Sequence, residues 1–373
     1  MHVNYLKMPT NGYPKITLDI ASPNEPEAHI LIIYTGGTFG MGASADGSLV
    51  PFDFHKVLEK IPVIQEFNLH ISVIAFEDPI DSSNIHPEDW NKITEIIIQE
   101  EKAHDGFVIL HGTDTMAYTA SALSYSLKGL NKPVILTGAQ LPISEPRTDG
   151  RENLITSLEI ASSKNEEGHS TISEVCIFFN HHLIRGNRAQ KVQSSKFDAF
   201  RSENYPALAE AGIEISYNFP YILSSDEFVR TLSIPNWFTG VAILKIFPGI
   251  TQHAVNAVLE NDHIKGVVLE TFGAGNAMTS PWFIESIRKA VKNEVLVINV
   301  SQCVGGEVNQ GMYATSTMLE SAGVISGSDI TIEAAITKLM FVLGQNISYK
   351  NAINHMLTPI CGELSQTIRN ETI

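Results

Sequence analysis

Two threonine-bearing turns carry the residue types for nucleophilic chemistry. The segment Ile33-Tyr34-Thr35-Gly36-Gly37-Thr38-Phe39-Gly40-Met41-Gly42 puts hydroxyl side chains on a glycine-rich turn directly after the apolar run Ile30 to Ile33. Farther on, Phe107-Val108-Ile109-Leu110 discharges into His111-Gly112-Thr113-Asp114-Thr115, a polar turn with another threonine and a carboxylate. A hydroxyl so presented attacks a carbonyl carbon if a neighbouring group removes its proton, giving an acyl intermediate that water hydrolyses. The backbone N–H groups of such turns are suited to hold the developing oxyanion. Taken singly each motif is weak, because glycine after a strand usually just allows positive φ or a close backbone approach.

These turns need a sheet behind them. The apolar runs read as buried parallel strands, and ligands of open α/β sheets bind outside the carboxyl ends of the strands. Ile71 to Phe76, Phe107 to Leu110, Val134 to Leu136 and Val175 to Phe179 are predicted strands. Glu88 to Lys102 and Thr115 to Lys128 are predicted helices, the first opened by His86-Pro87-Glu88-Asp89. Around Ile215 to Pro235 the period dissolves, which reads as a connection. A second alternating series follows, with strands at Val241 to Phe247, Gly266 to Leu269 and Val295 to Val300, and helices at Ala254 to Glu260, Pro281 to Lys292 and Ile332 to Leu343. The expectation is an α/β protein of two domains. Residues 1–218 form the larger, with a short extension over 1–27; 219–236 link it to a smaller domain over 237–373. The small, polar stretch Ala43 to Pro51 suits a mobile loop beside the first turn.

The chain has 373 residues, 43% of them hydrophobic, with 25 Lys+Arg against 41 Asp+Glu and a formal charge of −16. That charge disfavours nucleic acid and anionic lipid as partners. No apolar stretch approaches a membrane span, and Met1 to Asn24 lacks the apolar core of a secretory signal. The three cysteines, Cys176, Cys303 and Cys361, do not make a disulfide framework, and the expected compartment is the cytoplasm. No metal is expected: His181-His182 are adjacent rather than spaced, and no His-Glu-x-x-His occurs. Gly273-Ala274-Gly275 lacks the third glycine-like position of a dinucleotide fingerprint, so no cofactor is expected.

The two turns in this order and spacing, together with Asp81-Ser82-Ser83-Asn84, Leu136-Thr137-Gly138-Ala139-Gln140-Leu141-Pro142, Arg185-Gly186-Asn187-Arg188-Ala189-Gln190-Lys191 and Phe272-Gly273-Ala274-Gly275-Asn276-Ala277, resemble the bacterial-type L-asparaginase family, in the style of its cytoplasmic type I branch. The resemblance runs from about residue 28 to the C-terminal region. It implies a flavodoxin-like N-terminal domain, a Rossmann-like C-terminal one, and hydrolysis of L-asparagine to L-aspartate and ammonia. Thr38 matches the nucleophile, with Thr35 shaping the turn. Thr113, Asp114 and Lys191 match a second catalytic set in which Thr113 handles a proton. Lys191 is either a base, if desolvation opposes its carboxylate neighbour, or a charged residue that positions Thr113. An amino-acid substrate needs a carboxylate for its ammonium and neutral donors for its carboxylate; Asp114 suits the first and Ser82 the second, with Asp81 beside it. Without the resemblance, Asp81-Ser82-Ser83 reads equally well as a cap for the Pro87 helix. Ala139 resembles a position whose carbonyl approaches the leaving amide. Family sites are completed by an adjacent subunit, which implies a homodimer or homotetramer, with Asn276 closing a neighbour's pocket.

Two features depart from the family. A tyrosine usual in the loop after the first turn is replaced by Ser48, which leaves the proton path from Thr38 open. Cys303 lies in a segment resembling an effector site of some type I enzymes, but Glu270 and Gln190 stand where regulated members differ, so Cys303 is read as an ordinary buried thiol. Two alternatives remain: an asparaginase-like subunit of a tRNA-dependent amidotransferase, and a catalytically silent amide-binding sensor.

Overall fold

The computed structural model describes residues 2–4, 9–10, 13–19, 25–43, 49–51, 67–224, 230–310 and 314–365. The chain divides into two compact units, Met1–Ser202 with Pro206–Ile234, and Glu203–Tyr205 with Pro235–Ile373.

Among the described residues of the first unit, five parallel strands form the middle of an 11-stranded sheet in the spatial order Leu69–Ile80, Ala28–Gly36, Gly106–Leu110, Val134–Thr137, Val175–Phe179. Numbered along the chain this order is 2-1-3-4-5, the flavodoxin-like arrangement, whose connections run to opposite faces on either side of the first strand. The crevice between Ala28–Gly36 and Gly106–Leu110 is therefore the topological switch point. Both threonine turns leave the sheet there. Gly106–Leu110 and Val175–Phe179 are buried at every position, as strands covered on both faces must be. One face packs Leu31, Ile33, Ile109, Leu136 and Ile177 against Met116, Ala120 and Leu123 of the helix Met116–Ser126. That helix is rich in buried serine. Ser121, Ser124 and Ser126 donate to the carbonyls four residues back, at 2.8, 2.8 and 3.1 Å, so each of these three buried hydroxyls has a partner. The helix Pro87–Glu100 starts with Pro87 in its first turn, and the Asp89 carboxylate accepts from the His86 N–H at 3.0 Å.

Within the expected extension 1–27, Tyr13–Asp19 joins the sheet antiparallel to Leu69–Ile80, and His2–Asn4 pairs with Tyr13–Asp19 in turn. The connection expected from Ile215 begins instead with a strand, Ile215–Tyr217, antiparallel to Ala209–Ala211. Alternation is too short there to show in sequence. At the two ends of the expected loop Ala43 to Pro51, Met41–Ala43 and Leu49–Pro51 pair as an antiparallel ribbon; Ser48 lies outside the described residues.

Among its described residues the second unit holds four parallel strands in sequence order, Val241–Lys245, Gly266–Thr271, Leu296–Ser301 and Ile325–Ser326. The two middle strands are wholly buried, and helices Gln252–Leu259, Pro281–Lys292 and Ile332–Leu343 cover them. Thr251 and Thr331 cap their helices by accepting from Ala254 N–H at 3.3 Å and Ala334 N–H at 3.1 Å. The Lys338 ammonium and the Glu363 carboxylate meet at 2.5 Å inside this unit, both fully buried. Cys303 is exposed rather than buried, because it falls just past the carboxyl end of Leu296–Ser301; its N–H donates to Ser301 Oγ at 3.0 Å. Among the described residues no helix is long and apolar enough to cross a membrane.

Candidate active site

The two threonine turns touch through their backbones. Gly37 sits at φ +82°, and a Cβ there would lie 2.4 Å from both Cα and N of Gly112, so any other residue would push the turns apart. Thr35, buried, donates its hydroxyl to the Leu110 carbonyl at 3.0 Å and ties the first strand to the root of the second turn. Thr38 heads the short 3-10 turn Thr38–Gly40 and is half-buried. Next to it Phe39 is fully buried; a Cβ on Gly150 would come within 2.9 Å of its ring and 3.0 Å of Ala139 Cβ. Thus Thr38, the second turn and Ala139 are gathered at neighbouring strand ends.

On the second turn, Thr113 is buried and Asp114 exposed. Lys191 comes from the short strand Gln190–Lys191, paired with Phe200–Arg201. Its ammonium donates to Thr113 Oγ1 at 2.8 Å and to Asp114 Oδ1 at 2.6 Å, across 78 and 77 residues of chain. Thr113 in turn donates to Gln140 Oε1 at 3.3 Å. In this arrangement the lysine donates to both partners and ties the threonine and the carboxylate of the turn to one nitrogen. Ser82 is buried against the same turn: a Cβ on Gly112 would lie 2.5 Å from Ser82 Oγ, and the Ser82 carbonyl accepts from Thr115 Oγ1 at 2.7 Å. The Asp81 carboxylate accepts from the N–H and hydroxyl of Ser83, both at 3.0 Å, and so caps the 3-10 turn Ser82–Asn84 rather than the Pro87 helix.

This assembly matches known proteins over nearly its whole length. Residues 29–222 match the family model "Asparaginase, N-terminal" and residues 240–356 match "Glutaminase/Asparaginase C-terminal domain". The chain belongs to the asparaginase family. It is 39% identical to L-asparaginase 1 of Escherichia coli (strain K12) over 350 residues, covering 90% of this chain and 98% of that one. The crystal structure of L-asparaginase I from Vibrio cholerae O1 biovar eltor str. N16961 superposes with a TM-score of 0.82 at 38% identity, covering 91% of this chain and 99% of that one. A glutamyl-tRNA(Gln) amidotransferase chain of Pyrococcus abyssi (strain GE5 / Orsay) is 33% identical over 363 residues, covering 94% of this chain and 79% of its own.

Within this asparaginase-family site, Gln140 is a contact that sequence reasoning passed over in favour of its neighbour Ala139. Besides Thr113, its side chain donates to the Lys196 carbonyl at 3.0 Å, while its backbone N–H donates to both oxygens of Asp149 at 3.0 Å. An amide side chain one residue beyond a strand-end turn was the available signal. His111, set aside as a general base, is fully buried, and desolvation lowers its pKa from 6.5 to about 4, outweighing the Gly112 carbonyl and Asp89, which push it up. It stays neutral near pH 7. Asn276 belongs to the second unit, where the Phe272–Asn276 bridge closes its turn. Among the described residues no group of His, Cys, Asp and Glu has the arrangement of a metal site.

Proposed function

We propose that this chain is a cytoplasmic type I L-asparaginase, hydrolysing L-asparagine to L-aspartate and ammonia without a cofactor or metal. Thr38 Oγ1 bonds to the carboxamide carbon as its proton leaves, the C–N bond breaks, and nitrogen departs as ammonia with that proton. Water then cleaves the acyl ester and restores the threonine hydroxyl. Thr113 handles the proton, and Lys191, donating to Thr113 and Asp114, orients the pair. Asp114 also meets the substrate ammonium. Ser82, held by the Asp81 cap, meets the substrate carboxylate, and the Ala139 carbonyl faces the leaving amide. The Thr113 N–H, which has no hydrogen-bond partner among the described residues, supplies an oxyanion donor. What carries the reading is one observation: Lys191 is hydrogen-bonded to both Thr113 and Asp114, whose turn packs backbone to backbone against the turn of Thr38.

Residues 1–218 carry these groups in the proposal, 219–236 join them to 237–373, and a homodimer or homotetramer completes the site through Asn276 of a neighbouring copy. The second reading, a component of a tRNA-dependent amidotransferase, draws support from the 33% identity to the Pyrococcus abyssi chain. The net charge of −16 counts against direct tRNA contact. Ammonia release from L-asparagine tests the proposal: the parent turns over, and Thr38→Ala does not while its melting temperature holds. Near-normal release by Thr38→Ala removes Thr38 as nucleophile.

A further inference from the structure

Gly112 presents a problem for any site that relies on the Thr113 N–H. A glycine peptide is conformationally permissive, and the plane of the Gly112–Thr113 amide needs a restraint that its own residue does not provide. The restraint is a buried chain of three hydrogen bonds. Trp90 Nε1 meets Thr119 Oγ1 at 3.1 Å, Thr119 Oγ1 meets His111 Nε2 at 3.0 Å, and His111 Nδ1 meets the Gly112 carbonyl at 2.7 Å. With the ring neutral, as its burial favours, the polarity of this chain has one solution. An indole N–H only donates and a carbonyl only accepts, so Nδ1 carries the imidazole proton, Nε2 accepts, and the threonine hydroxyl donates to it. All three side chains are buried, on the helices Pro87–Glu100 and Met116–Ser126 and at the strand end.

A trans peptide points its C=O and its N–H to opposite sides. Holding the Gly112 carbonyl toward the imidazole therefore turns the Thr113 N–H away from it. We infer that His111, aligned by Thr119 and Trp90, is a positioning residue that fixes the Gly112–Thr113 peptide so that the Thr113 N–H meets the carboxamide oxygen as negative charge develops. The inference rests on the asparaginase reading for its substrate, but the clamp itself is a property of the fold. Burial keeps the ring neutral at working pH, which preserves the required tautomer.

The test compares kcat and KM for L-asparagine in the full chain, by ammonia release, in His111→Leu, His111→Asn and Thr119→Val. Losing a well-aimed oxyanion donor costs about 100- to 1,000-fold in kcat; a donor that remains but is free to swing is expected to cost at least about tenfold. His111→Leu should show that loss in kcat with KM little changed, since Asp114 and Ser82 are untouched. His111→Asn should recover most of it, because its amide nitrogen stands near the place of Nδ1 and donates to the same carbonyl. Thr119→Val, which frees the tautomer without removing the ring, should fall between. Wild-type kcat in a folded His111→Leu, or no recovery by His111→Asn, overturns the inference. If His111→Leu does not fold, wild-type kcat in Thr119→Val does the same. Nitrogen NMR of the imidazole separates this from failure of the functional reading: the Nδ1–H tautomer is expected, and an Nε2–H tautomer overturns the clamp whether or not ammonia is released.

Discussion

Lys191–Asp114 and Lys338–Glu363 are built from the same two groups at nearly the same separation, 2.6 and 2.5 Å, yet the first pair is 18% and 65% exposed and the second 0% in both partners. Lys338 also donates to the carbonyls of Met356 and Thr358, at 3.0 and 2.8 Å, so all three of its N–H groups are engaged. Glu363 accepts from the N–H of Ile360 and of Cys361 as well. Burial holds the Lys338 ammonium below the ordinary lysine value, with Glu363 opposing it, while Lys338 and the backbone donors outweigh burial and hold the Glu363 carboxyl below the ordinary carboxylate value. Nothing in that pair is left to offer a ligand. Lys191 reaches two acceptors among the described residues, one of them a hydroxyl that can itself exchange a proton. On the proposed function, an ion pair becomes a site through unfilled valence and access, and becomes a staple when both are exhausted.

The largest effect that sharpens this contrast is on stability. Lys338→Met strands a buried carboxylate and is expected to cost about 3–5 kcal/mol in urea unfolding, with ammonia release per folded molecule unchanged. The double replacement Lys338→Met/Glu363→Leu should regain most of the loss. Equal stability of Lys338→Met and parent would break the contrast. Next comes Lys191→Met, expected to lower the rate at least about a hundredfold by releasing Thr113, the proton-handling group that it orients, with the unfolding midpoint nearly unmoved. A wild-type rate would make Lys191 an ordinary surface lysine.

Smaller is a pH effect from His111, which shares the site with Lys191 but has the filled valence of Lys338. Its folded pKa is about 4 against 6.5 for the free group, so between those values the unfolded chain binds a proton that the folded one refuses. Stability is therefore full above pH 6.5 and declines as pH falls toward 4. The loss between pH 7 and pH 5 from this group is about 2 kcal/mol. Urea midpoints of parent and His111→Asn at the two pH values check it, the slope flattening in the variant. The smallest effect concerns Ser48. Ser48→Ala should lower the rate less than about tenfold, since a serine hydroxyl cannot reach as a tyrosine does. A thousandfold loss with intact circular dichroism would place Ser48 in the relay beside Lys191.

Much of this was legible in the sequence, for physical reasons that differ by element. Phe107 to Leu110 and Val175 to Phe179 are unbroken apolar runs because both faces of those strands are covered, and their ends were marked by glycine and hydroxyl residues. The helix Gly150–Ser162 was missed because its buried side mixes Asn153 and Ser157 with Leu154 and Leu158, which blurs the apolar stripe. No periodicity relates Lys191 to Asp114 across 77 residues; family resemblance alone put them together. Gln140 and the partners of His111 depend on distances between elements, which no local pattern encodes. The pairing of Tyr13–Asp19 with Leu69–Ile80 is equally remote in sequence.

The contact between Gly37 and Gly112 has a consequence for anyone redesigning this catalyst. Main chain meets main chain there, so the width of the cleft between the two turns is set by peptide geometry, with no rotamer to trim or enlarge. A library that varies side chains around the pocket can retune polarity and shape at its rim but inherits a fixed gauge at its centre. In a saturation screen those two columns would stand nearly empty between tolerant neighbours, and broader substrates would have to be sought by moving whole strands.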